Sequence, residues 1–304
     1  MSASDLSTEV ASVVLRSAVM VAAGTAGHGD ELAGYGDLGA LGAVVVKSLA
    51  AFAWEGNVAP RVAAQGEHLV NSVGLAGPGV ASWRATQLPA LLSRGAMVVG
   101  SIWGRDADEF AAAAEAMRGA PVVALEVNAS CPNVEDRSSM FAHSATATSR
   151  IVAASRVAGV PLWVKLSPNT PDLVSIAGAA LDAGAEALVL VNTVLGMAID
   201  IESRRPTLGH GRGGVSGPGI LPVALRAVYD CREAFADVAI VGVGGISSGD
   251  DAVAMIMAGA NAVEVGTATF ANPRAAWLVQ EGLGRWMSRH AVAHVSEIVG
   301  AAHG

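Results

Sequence analysis

The sequence predicts an α/β fold, a TIM (β/α)8 barrel formed by one domain over residues 1–304, on three observations. Short apolar runs recur eight times along the 304-residue chain. Alanine-rich segments with helical spacing lie between them, which is typical of repeated βα units. Eight such units in about 250 residues fit a closed barrel better than an open sheet.

The predicted strands are near-continuous apolar runs, as expected of strands covered on both faces. In chain order they are 18–24, 42–48, 96–103, 122–130, 161–167, 186–193, 238–245 and 261–267. The clearest predicted helices are 107–117, 170–185, 248–260 and 273–287, and several open with Ser, Thr, Asp or Pro. Two connections rich in Gly and Pro are unusually long, 48–82 after the second strand and 194–219 after the sixth. Long loops at this end of a barrel usually carry function.

The composition excludes several classes of protein. Apolar residues make up 52% of the chain and charged residues 15%, so a large core can form and global disorder is excluded. A net charge of −8 and an aromatic content of 4% argue against nucleic-acid binding. Because no apolar stretch reaches the roughly 18 residues of a membrane span and the N-terminus does not resemble a signal peptide, we expect a cytoplasmic protein with a small-molecule partner and no membrane contact.

The two cysteines are too few for a disulfide framework, a four-cysteine zinc site or a four-cysteine iron–sulfur cluster. Cys231 lies in the helical stretch RAVYDCREAF, which predicts an inert core residue. Cys131 follows the fourth strand, between the amides of Asn128 and Asn133, where an accessible thiol can act as a base. The seven histidines show no zinc-binding spacing, so we expect no metal.

The last two strands end in glycine. Gly244 and Gly245 end the seventh strand, and Gly266 with Thr267 ends the eighth. Backbone N–H groups at these two strand ends hold phosphate in many barrels, so the pattern predicts a phosphorylated substrate or a mononucleotide cofactor. The alternative is that these glycines only form tight turns.

Two lysines also end apolar strands, Lys47 after the second and Lys165 after the fifth. A lysine is costly to bury unless its charge meets an anion. Lys165 suits a ligand that gains negative charge during reaction, as a flavin does when it is reduced. The alternative is that each lysine reaches solvent or pairs with a carboxylate elsewhere in the chain.

Nine segments together resemble one family, the class 1 dihydroorotate dehydrogenases, and they occur in the family's order over nearly the whole chain. They are AAGTAGHGDE (22–31), KSLAAFAWEGNVAPR (47–61), NSVGLAGPG (71–79), NASCPNV (128–134), VKLSPN (164–169), VNTVLGMAID (191–200), GGVSGPGI (213–220), GVGGISSGDD (242–251) and VGTA (265–268). The resemblance implies a TIM barrel that binds one FMN per chain and oxidises dihydroorotate to orotate in pyrimidine synthesis.

The resemblance also implies roles for individual residues. Cys131 would be the base that removes a proton from C5 of dihydroorotate while a hydride passes from C6 to N5 of the flavin. The implied substrate-binding residues are Lys47, Asn71, Ser72, Val73, Gly74, Leu75, Asn128, Asn133, Asn192 and Thr193. The implied FMN-binding residues are Ala23, Lys47, Ser48, Ser101, Asn128, Lys165, Val191, Gly217, Gly244, Gly245, Gly266 and Thr267.

Three positions depart from the family pattern. Ala23 stands where a serine is common, and Ser101 stands where an asparagine is common. Each departure removes a possible flavin contact. The segment AFAWEGN also lacks the basic residue of the usual PREGN stretch.

Within the family, the chain resembles class 1B most. It has neither the N-terminal helical extension nor the serine base of the membrane-bound class 2 enzymes, and its NTVLGMAID run is similar to class 1B. That class implies a second subunit carrying FAD and a 2Fe–2S cluster that passes electrons to NAD, and we expect a homodimeric core. A fumarate-dependent class 1A enzyme is the close alternative.

Four further alternatives stay open on the sequence. They are an FMN barrel acting on another dihydropyrimidine, a flavin barrel similar to dihydrouridine synthase, a sugar-phosphate barrel with a cysteine nucleophile, and a non-enzymatic small-molecule binder. The acidic chain lacks the basic face that a tRNA-binding flavin barrel needs, and a sugar-phosphate barrel leaves Lys165 and the asparagines unexplained.

Overall fold

The computed structural model describes residues 4–130 and 140–304. Within these residues the strands, in chain order, are β1 (Thr8–Val10), β2 (Val13–Leu15), β3 (Val19–Val21), β4 (Val44–Val45), β5 (Val62–Gln65), β6 (His68–Asn71), β7 (Val98–Ile102), β8 (Ala124–Asn128), β9 (Leu162–Leu166), β10 (Ala187–Leu190), β11 (Val194–Gly196), β12 (Ile199–Asp200), β13 (Arg205–Pro206), β14 (Gly213–Ser216), β15 (Ala239–Val243) and β16 (Ala262–Val265).

The α-helices of the same residues alternate with the barrel strands. They are α1 (Val80–Thr86), α2 (Leu88–Ser93), α3 (Ala107–Met117), α4 (Ala145–Ser155), α5 (Leu173–Asp182), α6 (Leu221–Ala234), α7 (Gly249–Met257), α8 (Ala268–Ala271) and α9 (Ala275–Arg289). Asp106 caps α3 by accepting a hydrogen bond from the N–H of Glu109, and Ser248 with Asp251 forms a capping box on α7. None of the helices described is long and apolar enough to cross a membrane.

Eight strands close a parallel barrel, which confirms the predicted fold. Their order around the barrel is β3, β4, β7, β8, β9, β10, β15 and β16, and β16 pairs with β3. All eight are buried along their whole length, as their apolar sequences predict. They are shorter than the predicted runs by one or more residues at both ends, although Asn128 and Lys165 still lie within β8 and β9.

An N-terminal hairpin that the sequence analysis missed closes one end of the barrel. Strands β1 and β2 pair antiparallel, and their Val10, Val13 and Leu15 are buried in one cluster with residues inside the barrel. That cluster includes Ala124 and Ala187, the first residues of β8 and β10. The hairpin therefore covers the N-terminal ends of the barrel strands and leaves the C-terminal ends open.

The two long loops meet over those C-terminal ends. The first contributes β5 and β6, the second contributes β11 and β14, and together they form a four-stranded antiparallel sheet in the order β11, β14, β6 and β5. We call this the cover sheet. Strands β12 and β13 form a separate two-stranded ribbon. The prediction of functional loops at 48–82 and 194–219 did not foresee that they pair with each other.

Candidate active site

A cavity of about 710 Å³ lies between the C-terminal ends of the barrel strands and the cover sheet. Small-molecule and cofactor pockets have volumes of roughly 300–1,000 Å³. The predicted site residues that line it are Ala23, Lys47, Ser48, Asn71, Ser72, Val73, Gly74, Leu75, Asn128, Lys165, Val191, Asn192, Thr193, Gly244, Gly245, Gly266 and Thr267. The structure thus brings together residues that are more than 240 positions apart in the chain.

Two of the predicted site residues that the structure describes lie elsewhere, and two more cannot be placed. Ser101 is fully buried beneath the cavity and Gly217 lies against the turn that joins β5 to β6, so neither lines the cavity. Cys131 and Asn133 lie outside the described residues. Their roles therefore stay predictions of the sequence analysis.

Lys165 forms the centre of a buried charged cluster. Its Nζ lies 3.2 Å from Oε2 of Glu264 and 3.6 Å from Oε2 of Glu126, and both glutamates are fully buried. Burial lowers the pKa of the Lys165 ammonium, but the two carboxylates outweigh this effect and the net shift is upward. Lys165 also lines the cavity, so it pairs with carboxylates and meets any ligand bound above it.

The pKa of Glu264 is also raised, but here burial outweighs the nearby ammonium. Burial raises the pKa of its carboxyl to about 7, opposed by the charge of Lys165 and reinforced by that of Glu126. The sequence analysis missed both glutamates. Each is a charged residue inside an apolar strand, in VVALEVNAS and NAVEVGT, and that signal was available because unpaired charges are rarely buried.

A chain of hydrogen bonds extends this cluster under the cavity. The hydroxyl of Ser101 donates to Oε1 of Glu126 at 3.0 Å and lies 2.9 Å from the hydroxyl of Ser48. Nδ2 of Asn128 donates to the Ser48 hydroxyl at 3.1 Å. Ser101, where the family commonly has an asparagine, therefore makes a connection between buried groups. We call Lys165, Glu126, Glu264, Ser101, Ser48 and Asn128 the cavity floor.

The amide of Asn192 continues the row of polar groups. Its Nδ2 donates to Oδ1 of Asn128 at 3.4 Å, and its Oδ1 accepts from the backbone N–H of Thr193 at 2.7 Å. Asn169 holds the same segment by donating to the carbonyl of Thr193 at 3.0 Å. Two amides are thus fixed side by side, which suits recognition of a planar polar ligand.

Lys47 reaches the cavity past a glycine. Gly24 has φ +85°, and a Cβ at this position would lie 3.2 Å from Cδ of Lys47. The lysine stem therefore packs directly on the backbone of the first βα loop. Arg105 and Arg212 line the same cavity, so its charge favours an anionic ligand.

The segment 71–75, which we call the cover loop, faces the floor from the cover sheet. Nδ2 of Asn57 donates to the hydroxyl of Ser72 at 2.7 Å, and the indole N–H of Trp54 donates to the carbonyl of Gly74 at 3.0 Å. Gly74 has φ +72°, and a Cβ there would lie 2.5 Å from Cγ of Asn57. The AFAWEGN segment thus holds the cover loop in one conformation, and Asn57 is a positioning residue that the sequence analysis missed.

At the other end of the cavity, the backbone conformation and close packing leave no room for a side chain. Gly244 and Gly245 have φ +132° and +76°, and a Cβ at Gly245 would lie 2.6 Å from the backbone nitrogen of Leu221. Both line the cavity together with Gly266 and Thr267, and backbone without side chains lets an anion approach closely. A floor that presents the ammonium of Lys165 and the amide of Asn128 at one end, with a glycine cradle at the other, fits the ring and the phosphate of FMN.

Cys231 lies away from the cavity, as predicted. It is fully buried in α6, and burial raises the pKa of its thiol to about 12. A thiol of this kind stays protonated and behaves as a small apolar side chain.

The barrel and its polar cavity define a class of protein, a barrel that binds an anionic cofactor and a small polar substrate at its C-terminal mouth. The family model described as dihydroorotate dehydrogenase matches residues 5–287. The chain therefore belongs to the dihydroorotate dehydrogenase family.

Two relatives and one solved structure illustrate this membership. The chain is 43% identical over 299 residues to a protein of Pelobacter propionicus named dihydroorotate dehydrogenase B (NAD(+)), catalytic subunit, covering 98% of both chains. It is also 43% identical over 298 residues, with the same coverage, to a protein of that name from Alkaliphilus metalliredigens. The crystal structure of DHODH from Eimeria tenella in complex with ferulenol matches with a TM-score of 0.82 at 23% identity, over 98% of this chain and 89% of that one, which supports the fold alone.

Proposed function

We propose that this chain oxidises dihydroorotate to orotate with bound FMN, as the catalytic subunit of an enzyme that delivers the electrons to NAD+. The observation that carries the proposal is the single cavity in which the buried ammonium of Lys165, a row of asparagine amides and the cover loop face one another. Membership of the family and the names of full-length relatives support the same reaction.

The floor and the glycines would hold the cofactor. Lys165, Ser48 and Asn128 lie where they would meet the ring, while Gly244, Gly245, Gly266 and Thr267 would take the phosphate. FMN, when bound, supplies the acceptor for a hydride. An ammonium fixed by two carboxylates needs no rearrangement when negative charge develops above it, which is how preorganised charge assists a reaction.

The remaining polar groups would orient the substrate. Lys47 supplies a positive charge for a carboxylate, and Asn71, Asn128 and Asn192 offer amide donors and acceptors to a dihydropyrimidine ring. The cover loop closes the pocket from above with its backbone. Cys131, which lies outside the described residues, is proposed from the resemblance as the base that takes the proton from C5.

The route of the electrons from FMN to NAD+ is a separate part of the proposal. Relatives named catalytic subunit of an NAD(+) enzyme support a separate partner subunit. FAD and a 2Fe–2S cluster on that subunit, a homodimeric core and a cytoplasmic location stay predictions from the sequence.

Steady-state assays with different acceptors test this proposal. The isolated chain should reduce an artificial dye with dihydroorotate as the donor. It should reduce NAD+ only after addition of the flavin and iron–sulfur subunit of a class 1B enzyme. Rapid turnover with fumarate in the absence of a partner would instead favour class 1A, and no turnover with any acceptor would reject the reaction.

A further inference from the structure

The cavity floor contains more negative charge than its lysine neutralises. With all three groups ionised, Lys165, Glu126 and Glu264 carry a net charge of −1, and their side chains are between 93% and fully buried. An unbalanced charge in the protein interior is costly, and a group in that position usually changes its protonation state instead. Two carboxylates beside one ammonium are therefore expected to retain one proton between them.

The surroundings of the two carboxylates differ. Oε1 of Glu126 accepts a hydrogen bond from Ser101, and its Oε2 has no hydrogen bond within the described part of the chain but lies 3.6 Å from Nζ of Lys165. Oε1 of Glu264 is buried without a hydrogen-bond partner among the described residues. The strand register places the apolar Met20 and Val243 beside Glu264. Because both strand neighbours of Glu264 are apolar, whereas Ser101 lies beside Glu126, the unpartnered oxygen of Glu264 is the position where a proton removes the most unfavourable charge.

The charged groups that face Glu264 come from two strands. Lys165 approaches from β9 and Glu126 from β8, and no other titratable group influences its carboxyl among those described. Lys47 lines the same cavity farther along the mouth. The protonation of Glu264 is thus coupled to Lys165 and Glu126, and through Lys165 to a ligand above the floor.

We propose that Glu264 is a positioning residue that stores one proton beneath Lys165 and thereby sets the positive charge that this lysine presents to bound FMN. With the proton in place the floor is neutral, and after its loss the floor carries a net charge of −1. Reduction places negative charge on the flavin, so loss of the proton makes reduction less favourable. This inference rests on the proposed FMN site, although not on dihydroorotate as the substrate.

The pH dependence of the FMN midpoint potential tests the proposal, with reduction by light or dithionite rather than by dihydroorotate. Glu264→Gln copies the shape of a protonated glutamate and cannot ionise. Wild type and variant should have the same FMN potential at about pH 5.5. The wild-type potential should then fall progressively below that of the variant as the pH rises to about 8.5. The ionisation of the flavin itself is common to both proteins and cancels in the difference.

Infrared spectroscopy of the protein without FMN gives a second readout. The wild type should show the band of a protonated carboxyl near neutral pH, and the band should disappear on titration to high pH. Glu264→Gln should lack it. Glu126→Gln should lack it as well, because a single carboxylate paired with Lys165 has no reason to keep a proton. Glu115→Gln removes an exposed carboxyl of α3 and should keep the band.

The outcomes separate the possibilities. A potential difference that is the same at every pH would show a purely structural role and overturn the proposal, as would equal potentials throughout. Absence of a titrating carboxyl band in the wild type would overturn it even if Glu264→Gln does not fold. Failure of dihydroorotate to bleach the flavin would reject the proposed substrate and leave both measurements valid.

Discussion

The floor and the cover of the cavity are built in different ways. The floor consists of side chains at the ends of parallel strands, buried and held by ion pairs and hydrogen bonds to one another. The cover is an antiparallel sheet from two distant loops, whose exposed apolar residues include Val62 and Leu195. The cover loop that lines the cavity is held by hydrogen bonds from Asn57 and Trp54.

This difference determines how each region responds to substitution. Removing one charge from the floor leaves its partner buried and uncompensated, which strongly lowers the free energy of unfolding. A hydrogen bond removed from the cover can be replaced by water, so its loss is modest. We therefore expect the floor to control cofactor binding and stability, and the cover to control substrate affinity.

The largest effect should come from Cys131→Ala, which tests whether the chemistry depends on a thiol predicted from the sequence as well as on the floor and the cover. FMN should stay bound, because the floor is intact. Reduction of the flavin by dihydroorotate should slow by about 10²- to 10⁴-fold, the usual contribution of a general base. Rapid-reaction spectroscopy measures this rate. Cys231→Ala, in α6, is the matched control and should react at the wild-type rate.

Lys165→Met removes the one positive charge of the cavity floor. It leaves Glu126 and Glu264 buried without their cation, so the free energy of unfolding should fall by about 3–5 kcal/mol and FMN should be lost. Urea unfolding and the flavin absorbance measure the two effects. Adding Glu126→Gln and Glu264→Gln to the same chain should restore most of the stability but not the flavin. Equal instability in the triple variant would refute the charge argument.

The pH dependence of stability sharpens the account of the floor. The folded-state pKa of Glu264 is raised from 4.5 to about 7, so its proton stabilises the folded state below about pH 4.5, and this contribution is lost as the pH rises through about 7. Wild type and Glu264→Gln should therefore be about equally stable at low pH, and wild type should fall below the variant over that window by on the order of 3 kcal/mol. Chemical unfolding at a series of pH values measures it, and a difference independent of pH would contradict the assignment.

The smallest effect is expected in the cover. Asn57→Ala removes the hydrogen bond to Ser72 at a cost of about 1 kcal/mol, so the KM for dihydroorotate should rise roughly fivefold to tenfold. The affinity for FMN should be unchanged. Asn272→Ala, at the end of α8, is the control. Loss of FMN from Asn57→Ala would break the division between floor and cover.

The same division explains what the sequence could predict. Lys47, Asn128, Lys165 and Gly244 follow apolar runs, and parallel strands bring their ends to one mouth, so the fold and much of the floor could be predicted. The pairing of β6 with β14 joins residues about 140 positions apart, and local sequence patterns do not specify such a register.

The partners of Lys165 show where prediction from sequence alone stops. The sequence indicated that this lysine needs an anion, and it left a ligand and a carboxylate as alternatives. The structure provides two carboxylates and a cavity at once. Which strands lie across the barrel from β9 depends on its closure, so Glu264 could be placed beneath Lys165 only after the barrel was known.

The central claim is that one cavity holds both FMN and dihydroorotate, and an anaerobic visible spectrum of the purified chain tests it most directly. We expect the spectrum of a bound flavin, about one FMN per chain, and complete bleaching when dihydroorotate is added. A flavin spectrum that persists after dihydroorotate is added would contradict the proposed substrate. A colourless chain that takes up no FMN would contradict the role of the floor itself.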